Sequence, residues 1–177
     1  MLFSRAVLLR STVGLRSLGV RGVHVEARLA ALGHTLPPQT TPKGSYALTS
    51  RCGNLLFLAG HLPIPLSGVP MKGKVGDTVT PEAANEAAKW CALNILATLK
   101  GELGDLDKVK KIHKLVGFVN CVDGFAGQPA VVNGASDLIF DVFGEKHARS
   151  AVGTNALPLN VPVEIEAIVE VVEVDDH

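Results

Sequence analysis

The chain has 177 residues, of which 47% are hydrophobic, 19% charged and 5% aromatic. This length suits one domain, and the apolar content excludes a disordered chain. The mean hydropathy is positive at +0.28, yet no apolar run approaches the roughly 20 residues that cross a bilayer, so we expect no membrane span.

The formal net charge of zero hides an uneven distribution. Residues 1–25 contain four arginines among aliphatic residues and no acidic residue, and the rest keeps 13 basic against 17 acidic residues, a net charge of −4. Arginine interrupts every apolar stretch that a secretory signal would need, so we interpret residues 1–25 as a mitochondrial targeting presequence. A basic tail that binds a partner is the alternative. We expect import into the matrix and one domain over residues 26–177.

Turn residues and apolar periodicity divide this domain into elements. The clearest is a helix: Thr80 can cap it, Pro81 suits its first position, and apolar residues recur at helical spacing until Gly104. Gly53 and Asn54 tolerate positive φ and predict a hairpin turn. In chain order we predict a short helix at 25–32, strands at 45–51 and 55–59, a loop at 64–79, a helix at 80–103, a strand at 109–122, a helix at 129–143, and strands at 150–155 and 161–172.

The order β-β-α-β-α-β-β predicts an α+β fold in which two helices cover one face of a mixed sheet. In the last strand, apolar residues alternate with mostly acidic ones. Valine, isoleucine and phenylalanine nevertheless occur on both faces of the inner strands. We therefore expect the open face to be buried as well, most economically in a closed oligomer.

Familiar catalytic signatures are missing from the sequence, which contains no P-loop, GxGxxG, GxSxG or HExxH. The three cysteines and six histidines show no metal-ligand spacing, so we expect no metal. The most prominent polar pair is Arg149, which opens a strand, and Glu164 on the next strand. An antiparallel return would place them side by side, and spacing alone favours an ordinary salt bridge.

Four stretches carry a resemblance to a known family. They are 44–46 (GSY), 53–63 (GNLLFLAGHLP), the pattern GFA…VNGAS over 124–136, and the pattern ARSAVG…LP…VEIEAI over 148–168. In this order they resemble the Rid (YjgF-like) family of reactive-intermediate deaminases, older members of which were named endoribonucleases. The resemblance covers residues 27–172, and the individual residues within the motifs are those of a divergent branch of the family.

The resemblance implies a fold, an assembly and an activity. The fold is the small α+β fold shared with one class of chorismate mutase. The assembly is a homotrimer with a barrel-like core and with active clefts at the subunit interfaces. The activity is hydrolysis of imines and enamines such as 2-aminoacrylate to 2-oxo acids and ammonia, with no cofactor or metal.

The residues that match the family's cleft suit this chemistry. Arg149 anchors the substrate carboxylate, because a guanidinium binds carboxylates bidentately and keeps its charge. Glu164 positions or deprotonates the attacking water. Tyr46 covers the ligand or donates a hydrogen bond to it, Gly60 lets the backbone approach it, and Asn133 adds a polar contact.

Two positions depart from the family's pattern. Ala151 stands where many members have cysteine, so only a role of its backbone atoms survives there. His61 replaces a glutamine, and we expect it to alter one edge of the cleft. These departures leave open a trimeric binding protein that kept the pocket and lost turnover.

Ribonuclease activity is the third hypothesis, and we do not expect a nucleic-acid partner. The charge of −4 after residue 25 provides no basic footprint, and one tyrosine and one tryptophan provide no stacking platform.

Overall fold

The computed structural model describes residues 24–172. Apart from its last two positions, the predicted targeting segment 1–25 lies outside the described residues, and Val25 already begins the first helix. The elements are α1 (Val25–Ala31), β1 (Thr49–Cys52), β2 (Leu55–His61), α2 (Pro81–Leu103), β3 (Val109–Asn120), α3 (Gln128–Phe143), β4 (Ala148–Thr154) and β5 (Val163–Val171).

The observed order confirms the predicted β-β-α-β-α-β-β pattern and the α+β class. Several element ends differ by one or two residues, and the largest difference is in β1, which begins at Thr49, four residues later than predicted. β2 continues past Gly60 to His61. The predicted loop before α2 contains only isolated bridges, in which Val75 pairs with Val79 and with Cys121.

The residues predicted to begin and end α2 make the expected capping contacts. The Thr80 side chain accepts a hydrogen bond from the N–H of Ala83 at 3.2 Å, and Pro81 occupies the first turn. At the other end Gly104 has a φ of 75°, which only glycine adopts without strain, and its N–H bonds to the carbonyl of Lys100.

The five strands form one sheet in the order β1-β2-β5-β3-β4. β3 pairs antiparallel with β5 and parallel with β4, and the other neighbours are antiparallel. The predicted antiparallel pairing of β4 with β5 is therefore wrong. β3 is longer and more buried than β4, so it takes the inner position, while half-exposed β4 lies at the edge.

α2 and α3 pack together and cover one face of the sheet. The core lies between them and the inward side chains of β5, which are fully buried or nearly so: Val163, Ile165, Ala167, Val169 and Val171. The opposite face keeps apolar side chains in solvent, with Phe57 43% and Val152 44% exposed. No helix within residues 24–172 is long and apolar enough to cross a membrane.

Candidate functional site

Arg149 is the second residue of the edge strand β4, and its side chain extends to α3. Its Nη1 donates hydrogen bonds to Asn133 Oδ1 at 2.7 Å and to Ser136 Oγ at 3.0 Å. Asn133 and Ser136 are three residues apart, so both lie on the same side of the helix. Among residues 24–172, no carboxylate lies within ion-pair distance of the guanidinium. The cation is thus held in place by neutral acceptors and keeps its charge and its remaining N–H donors for a ligand.

An open crevice of about 470 Å³ adjoins this guanidinium. We call it the arginine crevice, and its lining residues are Asn133, Ser136, Asp137, Phe140, Lys146, His147 and Arg149. A volume of this size is in the range of small-molecule sites.

Glu164 lies in a different part of the sheet. It is the second residue of β5, directly opposite Phe118 of β3, and it is half-buried. Burial raises the pKa of its carboxyl group, and the negative charge of Glu166 raises it further. This carboxylate packs directly on the backbone of Gly60, because a Cβ there would lie only 2.7 Å from its Cδ. Gly60 therefore makes room for Glu164, a role that differs from the predicted approach of its backbone to a ligand.

One chain does not bring Arg149 and Glu164 together. β3 separates their strands, with Leu115 in register with Arg149 and Phe118 in register with Glu164. Leu115 is fully buried under the helices, whereas Phe118 has the opposite parity along β3, so the arginine and the glutamate project from opposite faces. The predicted side-by-side placement and salt bridge are wrong within one chain.

The remaining predicted residues divide between these two regions. Asn133 is the direct partner of Arg149. Ala151 follows Arg149 on the same side of β4 and packs partly buried against the core, in register with Gly117. Tyr46 precedes β1 at the other edge of the sheet, is 53% exposed, and forms no side-chain hydrogen bond within the described part of the chain.

His61 does not form an edge of a cleft, and that prediction is wrong. A bulge between Leu58 and His61 turns the imidazole to the helix side of the sheet, where it is only 2% exposed. Its Nδ1 lies 2.7 Å from the carbonyl oxygen of Ala59 and its Nε2 lies 2.8 Å from Oγ1 of Thr98. Burial lowers the pKa of His61, so this histidine is a neutral core residue.

Ser136, Lys146 and His147 belong to the arginine crevice and were not predicted from the sequence. The spacing of Ser136 from Asn133, one helical turn, was the available signal for the serine. Lys146 and His147 carry no comparable signal, because they follow the end of α3 in a short connection. No cluster of metal-ligating side chains occurs in the part of the chain that the structure describes.

Comparisons with known proteins agree on one family for this chain. A family model described as "YjgF/chorismate_mutase-like, putative endoribonuclease" matches residues 26–171. Protein TCP17 of Trypanosoma cruzi is 42% identical over 149 residues, which cover 82% of this chain and 93% of that protein. RutC family protein PH0854 of Pyrococcus horikoshii is 33% identical over 129 residues, which cover 72% and 87%.

Solved structures of related proteins have the same fold. The protein Atu1372 of Agrobacterium tumefaciens, described as of unknown function, is 47% identical with a TM-score of 0.77, covering 84% of this chain and 94% of that one. A protein of Shewanella oneidensis described as a "putative endoribonuclease" is 31% identical with a TM-score of 0.80, covering 83% and 99%. The matched region contains Arg149, Glu164 and the whole sheet, and it confirms the predicted family: the chain belongs to the YjgF/RutC family.

Proposed function

We propose that the protein hydrolyses reactive 2-imino and enamine acids of the 2-aminoacrylate type to 2-oxo acids and ammonia. The observation that carries this proposal is the guanidinium of Arg149, which Asn133 and Ser136 hold without neutralising its charge. A substrate that bears a carboxylate beside its C=N bond needs such an anchor.

Glu164 supplies the proton transfers. Its raised pKa makes its carboxylate a stronger base than an exposed glutamate. The imine reacts in its protonated form. The carboxylate takes a proton from water as the water oxygen bonds to the carbon of the C=NH2⁺ group and the π electrons move to nitrogen, which gives a neutral carbinolamine. The protonated carboxyl returns this proton to the amine, the C–N bond breaks with its electron pair leaving on ammonia, and the hydroxyl proton passes back to the carboxylate as the 2-oxo acid forms. An enamine reaches the same imine by gaining a proton at its terminal carbon.

The two groups act together only if copies of the chain combine, since they project from opposite faces of one sheet. We place the arginine crevice of one copy against Glu164 and Gly60 of a neighbouring copy, in a closed homotrimer. The exposed apolar side chains Phe57 and Val152 on the uncovered face support such an assembly. Tyr46 is exposed and available to cover the ligand, and Ala151 contributes backbone atoms only.

The test is release of ammonia and 2-oxo acid from freshly generated 2-aminoacrylate and from bulkier imino acids. We expect the wild-type protein to accelerate release and Arg149→Ala to abolish the acceleration. Arg51→Ala is the matched control, because Arg51 is exposed in the hairpin and its only side-chain hydrogen bond within residues 24–172 goes to the carbonyl of Gly53. Failure of a correctly assembled wild-type protein with every imine would refute the proposal and favour a non-catalytic binding protein.

We also propose that residues 1–25 direct the protein to the mitochondrial matrix, on the strength of their arginines and lack of acidic residues. A fluorescent protein carrying these residues should enter mitochondria, and a version with the four arginines replaced by glutamine should remain in the cytosol. Equal distribution of both versions would contradict the proposal.

A further inference from the structure

Two cationic side chains, Arg149 and Lys146, line the arginine crevice. Nζ of Lys146 lies 5.9 Å from the centre of the Phe140 ring. We propose that the crevice selects 2-imino acids whose side chain ends in a second carboxylate. Arg149 holds the carboxylate beside the C=N bond, and Lys146 holds the distal one. This inference rests on the proposed imine hydrolysis and names its substrate class.

Charge is the first argument for a dianionic ligand. Of the four ionisable side chains that line the crevice, Lys146, His147 and Arg149 are basic and only Asp137 is acidic. This local excess stands out in a chain whose charge after residue 25 is −4. Two cationic side chains that line one concave site favour a ligand with two anionic groups.

Lys146 is also available to a ligand. No carboxylate within residues 24–172 lies at ion-pair distance from it. Its neighbour Glu145 is engaged elsewhere, with its carboxylate 3.1 Å from Nζ of Lys111. The lysine is thus a second cation in this crevice without an internal counter-ion.

Size and the position of Phe140 select among anionic ligands. A three-carbon imino acid fills little of a crevice of about 470 Å³, so a longer side chain has room beyond the carboxylate bound at Arg149. The ring of Phe140 is 43% exposed and offers an apolar surface to methylene groups. Because Lys146 lies over this ring, an aromatic side chain would have to displace the cation, whereas a carboxylate would bind it.

Binding of 2-oxo acids, the reaction products, tests the proposed substrate class without requiring turnover. Titration calorimetry on the full-length protein compares 2-oxoglutarate, which has the distal carboxylate, with 2-oxobutyrate, which lacks it. We expect 2-oxoglutarate to bind about tenfold more tightly, the scale of one favourable partly desolvated ion pair. Lys146→Gln should remove most of the difference, because it should weaken 2-oxoglutarate binding far more than 2-oxobutyrate binding. Lys89→Gln, a lysine on α2 paired with Glu86, is the control and should change neither.

The possible results separate the two proposals. Equal affinity for the two acids, or a preference that survives Lys146→Gln, would overturn the inference whether or not imines are hydrolysed. Tight binding of 2-oxoglutarate that depends on Lys146, without turnover of any imine, would support the ligand class and refute the proposed hydrolysis. Parallel turnover assays use imines generated by oxidation of glutamate and of alanine.

Discussion

Replacing Gly60 with alanine should disable Glu164 without unfolding the protein. A Cβ on Gly60 would lie 2.7 Å from the Cδ of Glu164, whereas ordinary van der Waals contact begins at 3.4 Å. The carboxyl carbon therefore has to retreat by about 0.7 Å, and the nearer carboxylate oxygen by more. The obstacle is the end of a flexible side chain, and Gly60 is not among the glycines with positive φ, so the fold can absorb the methyl group.

The cost should fall on catalysis more than on stability. Misplacing a reacting group by roughly 1 Å reduces rates on the order of 100-fold, or about 2.7 kcal/mol in activation free energy. We expect the free energy of unfolding to change by no more than about 1 kcal/mol, because alanine also restricts the unfolded chain and offsets part of the crowding.

The assay is kcat/KM for 2-aminoacrylate hydrolysis by the wild type, Gly60→Ala, Glu164→Gln and the double variant. If Gly60→Ala acts through the displaced carboxylate, the double variant should be no slower than Glu164→Gln alone. A wild-type rate for Gly60→Ala would refute the reasoning. Independent, multiplying losses in the double variant would refute it as well.

Three further predictions follow from the titratable groups. Glu166→Gln removes the charge that adds to the raised pKa of Glu164, so the acid limb of the kcat/KM profile should move to lower pH, and an unmoved limb would contradict this. Because the folded-state pKa of Glu164 is raised, its ionisation opposes folding as pH rises above about 4.5. Glu164→Gln should therefore be more stable than the wild type in urea at pH 7, and this gain in stability should vanish below about pH 4.5. The pKa of His61 is lowered by burial, so the unfolded chain takes up this proton first and the wild type should lose stability as pH falls below about 6.5, by about 1.4 kcal/mol per unit of pKa displacement. His61→Gln should lack this part of the loss between pH 8 and 5.5, and equal slopes for both proteins would show that His61 is not responsible.

Local signals explain why the elements were predictable. Thr80, Pro81 and Gly104 act through contacts within a few residues, and the alternation in β5 reflects one buried and one open face. Strand order depends on contacts between distant residues, and the sequence contains no local signal for it. β5 follows β4 directly in the chain, yet β3 lies between them in the sheet. Consecutive strands are neighbours only about two-thirds of the time, so chain order alone does not predict the pairing.

The placement of the site residues also depends on contacts between distant parts of the chain. The types of its main residues, Arg149 and Glu164, were predictable from the family's motifs, but their placement on opposite faces required the register of β3 with both neighbours. His61 was misplaced because a single extra residue in β2 reverses the alternation of side chains after Leu58. Bulges of this kind depend on the partner strand and leave no mark that a single sequence reveals.

The central claim is that Arg149 of one copy and Glu164 of another complete one active site, and mixed assemblies test it most directly. Arg149→Ala and Glu164→Gln chains, each with its own purification tag, are co-expressed and the assemblies that carry both tags are assayed beside each parent. In a closed ring of three, every assembly that carries both tags places an intact arginine beside an intact glutamate at one of its interfaces, about one third of the total. The account predicts recovery of imine hydrolysis to about that share of the wild-type rate, whereas each parent alone stays at background. Mixed assemblies that stay at background while the wild type is active would contradict the shared site.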